Sequence, residues 1–173
     1  KLNLQLGNST SVRYVQLFKH LKNIKYNSNR GVSGIDGSSS TAVGAASINK
    51  GITVLITGDL SFIYDQNALW NKNIPKKLKI IVINNQGGGI FKIIKGPNKT
   101  PYLNEFFETS HDLDIEKISL GYGLNYKKVD NIEDAQNAID ELIVSNHPEI
   151  LELFTGNLNN EKILFEYFDK IKK

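Results

Sequence analysis

The chain has 173 residues, a formal net charge of +3 and no cysteine. That length fits one domain, and folding would bury about 70% of the unfolded surface, enough for an independent core. The absence of cysteine excludes disulfide frameworks and thiolate metal sites and fits a reducing cytoplasm. No apolar run approaches the ~20 residues that span a bilayer, and no signal-peptide pattern opens the sequence. Acids and bases are interspersed. The densest basic cluster, Lys76-Lys77-Leu78-Lys79, lacks interleaved aromatics, so it is read as solvated surface and no nucleic-acid partner is expected. Methionine is absent even at position 1, which predicts that residues 1–173 are one domain cut from a longer, multidomain protein. Only two of 21 cationic residues are arginine, Arg13 and Arg30. Where lysine is so favoured, arginine suits positions that need a planar, bidentate donor.

Along the chain, Val12, Val15, Leu17, Phe18 and Leu21 predict a helix from Ser11 to about Lys22, with Asn8, Ser9 and Ser11 as possible caps. Residues 27–40, rich in Ser, Gly and Asn, read as a loop. Residues 41–49 read as a small, Ala-rich helix. A strand (Thr53–Thr57), a helix (Phe62–Trp70) and a strand (Lys79–Ile83) follow, then a long glycine-rich excursion over residues 84–110. A helix from Ile115 to Tyr122, a strand from Tyr126, a helix capped by Asn131, a strand from Glu149 and a closing amphipathic helix over 159–172 complete the chain. The apolar set of the last helix is Ile163, Leu164, Phe165, Phe168 and Ile171. Strands alternate with helices and are mostly continuous apolar runs. This predicts an α/β fold: a doubly wound, mostly parallel sheet with helices on both faces.

The chemistry concentrates after two of these strands. Gly58-Asp59-Leu60-Ser61 follows the first, and Asn84-Asn85 follows the second, with Asp59 and Asn85 separated by 26 positions. Each segment alone is a common turn. Together they place a carboxylate and a carboxamide at the carboxyl edge of a parallel sheet, where such folds bind ligands. Hard oxygen ligands suit Mg²⁺ (or Mn²⁺), and Mg²⁺ suits a diphosphate. Asp59 and Asn85 are the candidate metal ligands, with the Gly87 carbonyl as a third. Gly87-Gly88-Gly89 would let backbone approach a ligand closely. Ser61 would open a helix whose N–H groups face the diphosphate. In Arg30-Gly31-Val32-Ser33-Gly34-Ile35-Asp36-Gly37, a large aliphatic residue sits inside a glycine loop. His20, His111 and His147 lie far apart and are read as surface or capping residues. Glu105, Glu108 and Glu116 are read as surface acids, and Trp70 as packing. Phe106 and Phe107 fit either a cap over the site or a core plug.

The Asp59-to-Asn85 pattern resembles the diphosphate-binding motif of thiamine-diphosphate enzymes. Taken in order, Gly7-Asn8-Ser9 with Arg13, Asn29 to Gly37, Gly58 to Ser61 and Asn84 to Phe91 resemble a narrower group. They look like the C-terminal, diphosphate-binding domain of the 2-succinyl-5-enolpyruvyl-6-hydroxy-3-cyclohexene-1-carboxylate synthase family of menaquinone biosynthesis. Leu60 departs from the Gly-Asp-Gly of the wider class and matches the narrower family. The resemblance implies thiamine diphosphate and Mg²⁺ as cofactors, with Asp59, Asn85 and Gly87 on the metal. Asn8, Ser9, Gly34, Ile35, Asp36, Gly58, Leu60, Ser61, Gly88, Gly89 and Ile90 would hold the cofactor, Ile35 as the aliphatic wedge that bends it. Ser9, Arg13, Arg30, Ile90 and Phe91 would face the substrates, the two arginines binding carboxylates as bidentate donors.

The implied reaction is a carboligating transfer: 2-oxoglutarate loses carbon dioxide and the succinyl carbanion adds to isochorismate. The resemblance further implies a cytoplasmic homodimer or homotetramer. An N-terminal pyrimidine-binding domain of the partner subunit would supply the activating glutamate, so residues 1–173 alone should be inactive. Alternatives stay open: another thiamine-diphosphate 2-oxoacid decarboxylase, an acetolactate-synthase-like enzyme, a non-catalytic nucleotide- or metal-binding module, or a fragment serving subunit contact.

Overall fold

A computed structural model describes residues 2–156 and 159–171. Six strands form one all-parallel sheet: β1 (Leu2–Leu6), β2 (Ile24–Ser28), β3 (Thr53–Gly58), β4 (Leu78–Asn84), β5 (Asn125–Val129) and β6 (Glu149–Phe154). Their spatial order is β2-β1-β3-β4-β6-β5. The chain winds from β1 to one side and returns to wind from β3 to the other, so the topological switch lies between β1 and β3. The helices are α1 (Thr10–Val15), α2 (Ser38–Ile48), α3 (Asp59–Tyr64), α4 (Ile90–Ile93), α5 (Ile115–Gly121), α6 (Ile132–Val144) and α7 (Asn160–Ile171). Among the described residues no helix is long and apolar enough to cross a membrane.

Continuous apolar strands arise because both sheet faces are covered. Leu55, Ile80, Val82 and Ile150 point to one face, where they pack with Ala42, Val43 and Ala46 of α2, Phe62 of α3 and Ile115 of α5. Their neighbours Val54, Ile81 and Leu151 point to the other, joining Leu4, Leu6, Val12, Ala138 and Leu142. Ala42 and Ala46 let α2 lie close to the sheet, as its small-residue composition suggested. Asn131 caps α6: its side-chain oxygen accepts from the Asp134 N–H at 2.9 Å.

The central strands and α5 to α7 fall where the sequence places them, and Lys172, the expected end of α7, lies outside the described residues. The N-terminal third departs. The first helix stops at Val15, and Phe18 and Leu21 are exposed, so their helical spacing has no core to face. None of the three expected caps closes α1; Ser9 stands at the cap position with φ 70° and makes no side-chain capping bond. β1 and β2 carry no strand expectation. β2 is a half-buried edge strand with only Ile24 and Tyr26 apolar, and the face shared by Asn3, Gln5 and Asn27 is polar, their amides bonded to one another.

Four further expectations are overturned. Lys79 is fully buried in β4, its ammonium donating to the His147 carbonyl, and burial pulls its pKa down. Glu108 is buried and paired with Lys92 at 2.5 Å. Trp70 is exposed, because Phe62–Trp70 breaks after Tyr64 into a 3₁₀ turn (Gln66–Trp70). Ile163, Phe165 and Ile171 on α7 are exposed, while Leu164 and Phe168 of the expected apolar set are half-buried.

Candidate functional site

Four carboxyl-end segments converge at the switch point: Asn8–Thr10 after β1, the loop after β2, Gly58–Ser61 after β3 and Asn85–Phe91 after β4. They enclose a cavity of about 360 Å³ lined by Ser9, Ile35, Asp59, Leu60, Asn85 and Gly87 to Phe91, among others. Of the residues expected in the site, Arg13, Arg30 and Asp36 stand outside this lining, and all three are exposed.

Asp59 is the best-held group. It is 2% exposed, yet both carboxylate oxygens are served. One accepts from the Leu60 N–H at 2.7 Å, the other from the Gly87 N–H at 2.9 Å. His111 Nε2 lies 3.3 Å from that second oxygen. Burial pushes the Asp59 pKa up, and these donors and His111 oppose the rise.

Gly87 thus meets Asp59 through its N–H. Its carbonyl accepts from the Gly89 N–H at 3.1 Å and keeps a second lone pair. Side chains are refused here by close approach: a Cβ on Gly87 would stand 2.8 Å from the Glu108 carbonyl oxygen, and one on Gly89 would strike the Asn85 amide. The corner before them is set by Asn84. Its Oδ1 accepts from the Gln86 N–H at 2.9 Å, while its amide donates to buried Glu152 at 2.9 Å. Tyr126 donates its hydroxyl to the other Glu152 oxygen at 2.5 Å. A strand glutamate therefore fixes the corner that presents Asn85.

Asn8 closes the opposite wall. Its amide donates to the carbonyls of Asn29 (2.7 Å) and Gly34 (2.6 Å), and its oxygen accepts from Arg30 at 3.1 Å. Asn8 thereby shapes the 29–34 loop and holds the Arg30 guanidinium beside the cavity. Ser61 likewise spends its hydroxyl on the Ile35 carbonyl. The helix begins at Asp59 instead of Ser61, and Ser61 anchors the expected wedge. Ser9, Ser33 and Gln86 all carry positive φ around this rim, a concentration of backbone strain typical of functional loops.

Sequence reasoning missed three contributors. Glu108 comes from the end of the long excursion, His111 from the residue just beyond it, and Glu152 from mid-strand, where a single acid in an apolar run is its only signal. The excursion holds short α, 3₁₀ and π turns, the last over Leu103–Phe107. Phe106 is exposed, and Phe107 packs edge-on against Phe91 with ring centres 5.6 Å apart.

The arrangement fits a metal-bound diphosphate joined to aromatic rings. Asp59, Asn85 and the Gly87 carbonyl offer hard oxygens on one wall. The glycines at 87 to 89 let the Glu108 and Phe107 carbonyls and the Asn85 amide pack against this backbone, while Ile35, Leu60, Ile90 and Phe91 offer apolar surface for rings.

Residues 7–153 match the family described as thiamine pyrophosphate enzyme, C-terminal TPP binding domain. The chain is 48% identical over 169 residues to a 2-succinyl-5-enolpyruvyl-6-hydroxy-3-cyclohexene-1-carboxylate synthase of Flavobacterium johnsoniae, covering 97% of this chain and 30% of that protein. It is 45% identical to the protein of the same name from Christiangramia forsetii, covering 98% of this chain and 30% of the relative. The chain thus spans about a third of the length of these curated relatives. Among solved structures it is similar to benzoylformate decarboxylase from Polynucleobacter necessarius, with a TM-score of 0.72 at 18% identity over 91% of this chain and 30% of the other, which supports the fold. The match over residues 7–153 falls on the segments that build the cavity, and the chain belongs to the thiamine pyrophosphate enzyme family, as its C-terminal, TPP-binding domain.

Proposed function

We propose that this chain is the diphosphate- and metal-holding domain of a longer, cytoplasmic 2-succinyl-5-enolpyruvyl-6-hydroxy-3-cyclohexene-1-carboxylate synthase. Its reaction would decarboxylate 2-oxoglutarate and add the succinyl unit to isochorismate. The observation that carries this reading is the convergence of Asp59, Asn85, Gly87 and Ile35 on one cavity at the switch point. Identity of 45% or more to two synthases over nearly the whole chain supports this chemistry over others that the fold could carry.

Bound thiamine diphosphate supplies an electron sink for the pair left when carbon dioxide departs. This chain's own residues would hold and orient the reactants. Asp59, Asn85 and the Gly87 carbonyl would hold Mg²⁺ or Mn²⁺. Ile35, anchored through its carbonyl to Ser61, would hold the cofactor bent. Ile90 and Phe91 would exclude water from the reacting face. Arg30, steadied by Asn8, would receive a substrate carboxylate from the rim, with Arg13 as a second cation one turn into α1. The acid that activates the pyrimidine ring would come from an N-terminal domain of a partner subunit, since Asp59 is the one acid in the cavity lining among the described residues.

The test uses the full-length protein with thiamine diphosphate, Mg²⁺ and 2-oxoglutarate. Carbon dioxide release together with an isochorismate-dependent adduct is the expected result. Release without an adduct would move the enzyme to another 2-oxoacid decarboxylase, and no release would favour a binding module. Appreciable turnover by residues 1–173 alone would contradict the requirement for a partner domain.

A further inference from the structure

His111 is 52 positions from Asp59, and its ring is nine-tenths buried against it. Two ties deliver it there. The Glu108 carbonyl accepts from the Gly88 N–H at 2.5 Å, and the Glu108 carboxylate pairs with Lys92. Both bind the end of the excursion onto the Gly87-to-Lys92 segment. The ring's orientation is fixed as well. The Leu113 N–H donates to Nδ1 at 3.2 Å, so Nδ1 carries no proton and Nε2 is the N–H that faces Asp59. Asp59 thereby has three donors in three directions, from Leu60, Gly87 and His111. The acidic oxygens of a metal site hold their geometry when outer groups bond them in this way.

From this geometry we infer that His111 is a positioning residue for the metal: its Nε2–H holds the Asp59 carboxylate in the orientation that receives the divalent ion. The inference rests on the reading of Asp59 as a metal ligand and deepens it. It gives the excursion a task, because ion affinity then depends on residues 108–113 lying against Gly87 and Gly88. His111 touches Asp59 and takes no ligand position itself.

The experiment measures Mn²⁺ binding to the full-length protein in the presence of thiamine diphosphate, by loss of the free-ion electron paramagnetic resonance signal. His111→Ala should weaken Mn²⁺ binding about 10- to 100-fold, the usual consequence of losing such an outer partner. His111→Gln can place an N–H where Nε2 stands, and should bind within about threefold of the original protein. His111→Asn reaches only as far as Nδ1, and should bind as weakly as the alanine variant. Ion-free melting midpoints separate this from a structural role. The three variants should melt together while their Mn²⁺ affinities split. If His111→Ala fails to fold, the Gln and Asn pair decides. Equal affinity in all variants overturns the inference and leaves the metal site standing; tighter binding in His111→Ala overturns it too and makes the imidazole a competitor of the ion. Should the original protein bind no Mn²⁺, the metal reading fails, and the inference with it.

Discussion

Asp59 shows how a buried charge is kept useful. Its burial costs the ionised form, and three donors return part of that cost without filling every lone pair. Asp59→Asn should therefore leave the fold intact but remove metal-dependent binding of thiamine diphosphate, read by calorimetric titration with Mg²⁺. Gly87→Ala should act at a distance. The new Cβ would press on the Glu108 carbonyl, 2.8 Å away, and lift the excursion from Asp59. Mn²⁺ affinity should fall at least tenfold, with His111→Ala giving a change in the same direction. Motif spacing made Asp59, Asn85 and Gly87 legible, because ligand type and strand end are both local properties. His111 was not legible: its partner is set by a loop that only the folded chain brings back.

Elements divide by how firmly their neighbours specify them. β3, β4 and β6 are buried on both faces, and their apolar runs announce it; β2 and α1 are short, partly exposed and written in polar residues, so pattern alone misreads them. The same contrast predicts energetics. Leu142→Ala on α6 removes a side chain 1% exposed and should cost about 2–5 kcal/mol in urea unfolding. Ile163→Ala on α7, 63% exposed, should cost under about 0.5 kcal/mol in the isolated chain. The Glu152 network joins β4, β5 and β6. Glu152→Gln would set an amide N–H against the donors of Asn84 or Tyr126, at a cost of about 1–3 kcal/mol. Burial, and then the bond to Glu152, raise the Tyr126 pKa above its usual 10.0. A raised pKa favours the protonated, folded form. This contribution is intact below pH 10 and is lost as pH rises beyond it. Tyr126→Phe should flatten that alkaline decline in stability.

At the scale of the whole molecule, the doubly wound sheet explains why the site lies where it does. Reversal of winding between β1 and β3 opens a crevice, and four loops from successive strand ends fill its rim. That much follows from alternating strands and helices, and the sequence reading of the fold stands in the central sheet. The segment packed behind Gly87 and Gly88 is less legible, because it is stitched by backbone and ion-pair contacts with no periodicity of their own. The exposed apolar residues of α7 also had no sequence signal separating them from core.

The property from which every role above follows is that this cavity binds a metal-bound diphosphate cofactor. The decisive measurement is the unfolding free energy of the full-length protein with thiamine diphosphate and Mg²⁺, alone and together, beside Asp59→Asn. At a ligand concentration a hundredfold above Kd, the pair together should stabilise the original protein by about 2.7 kcal/mol. Neither component alone, nor ATP or NAD with Mg²⁺, should match it, and Asp59→Asn should show no gain. Equal stabilisation by ATP, or an undiminished gain in Asp59→Asn, would contradict the account.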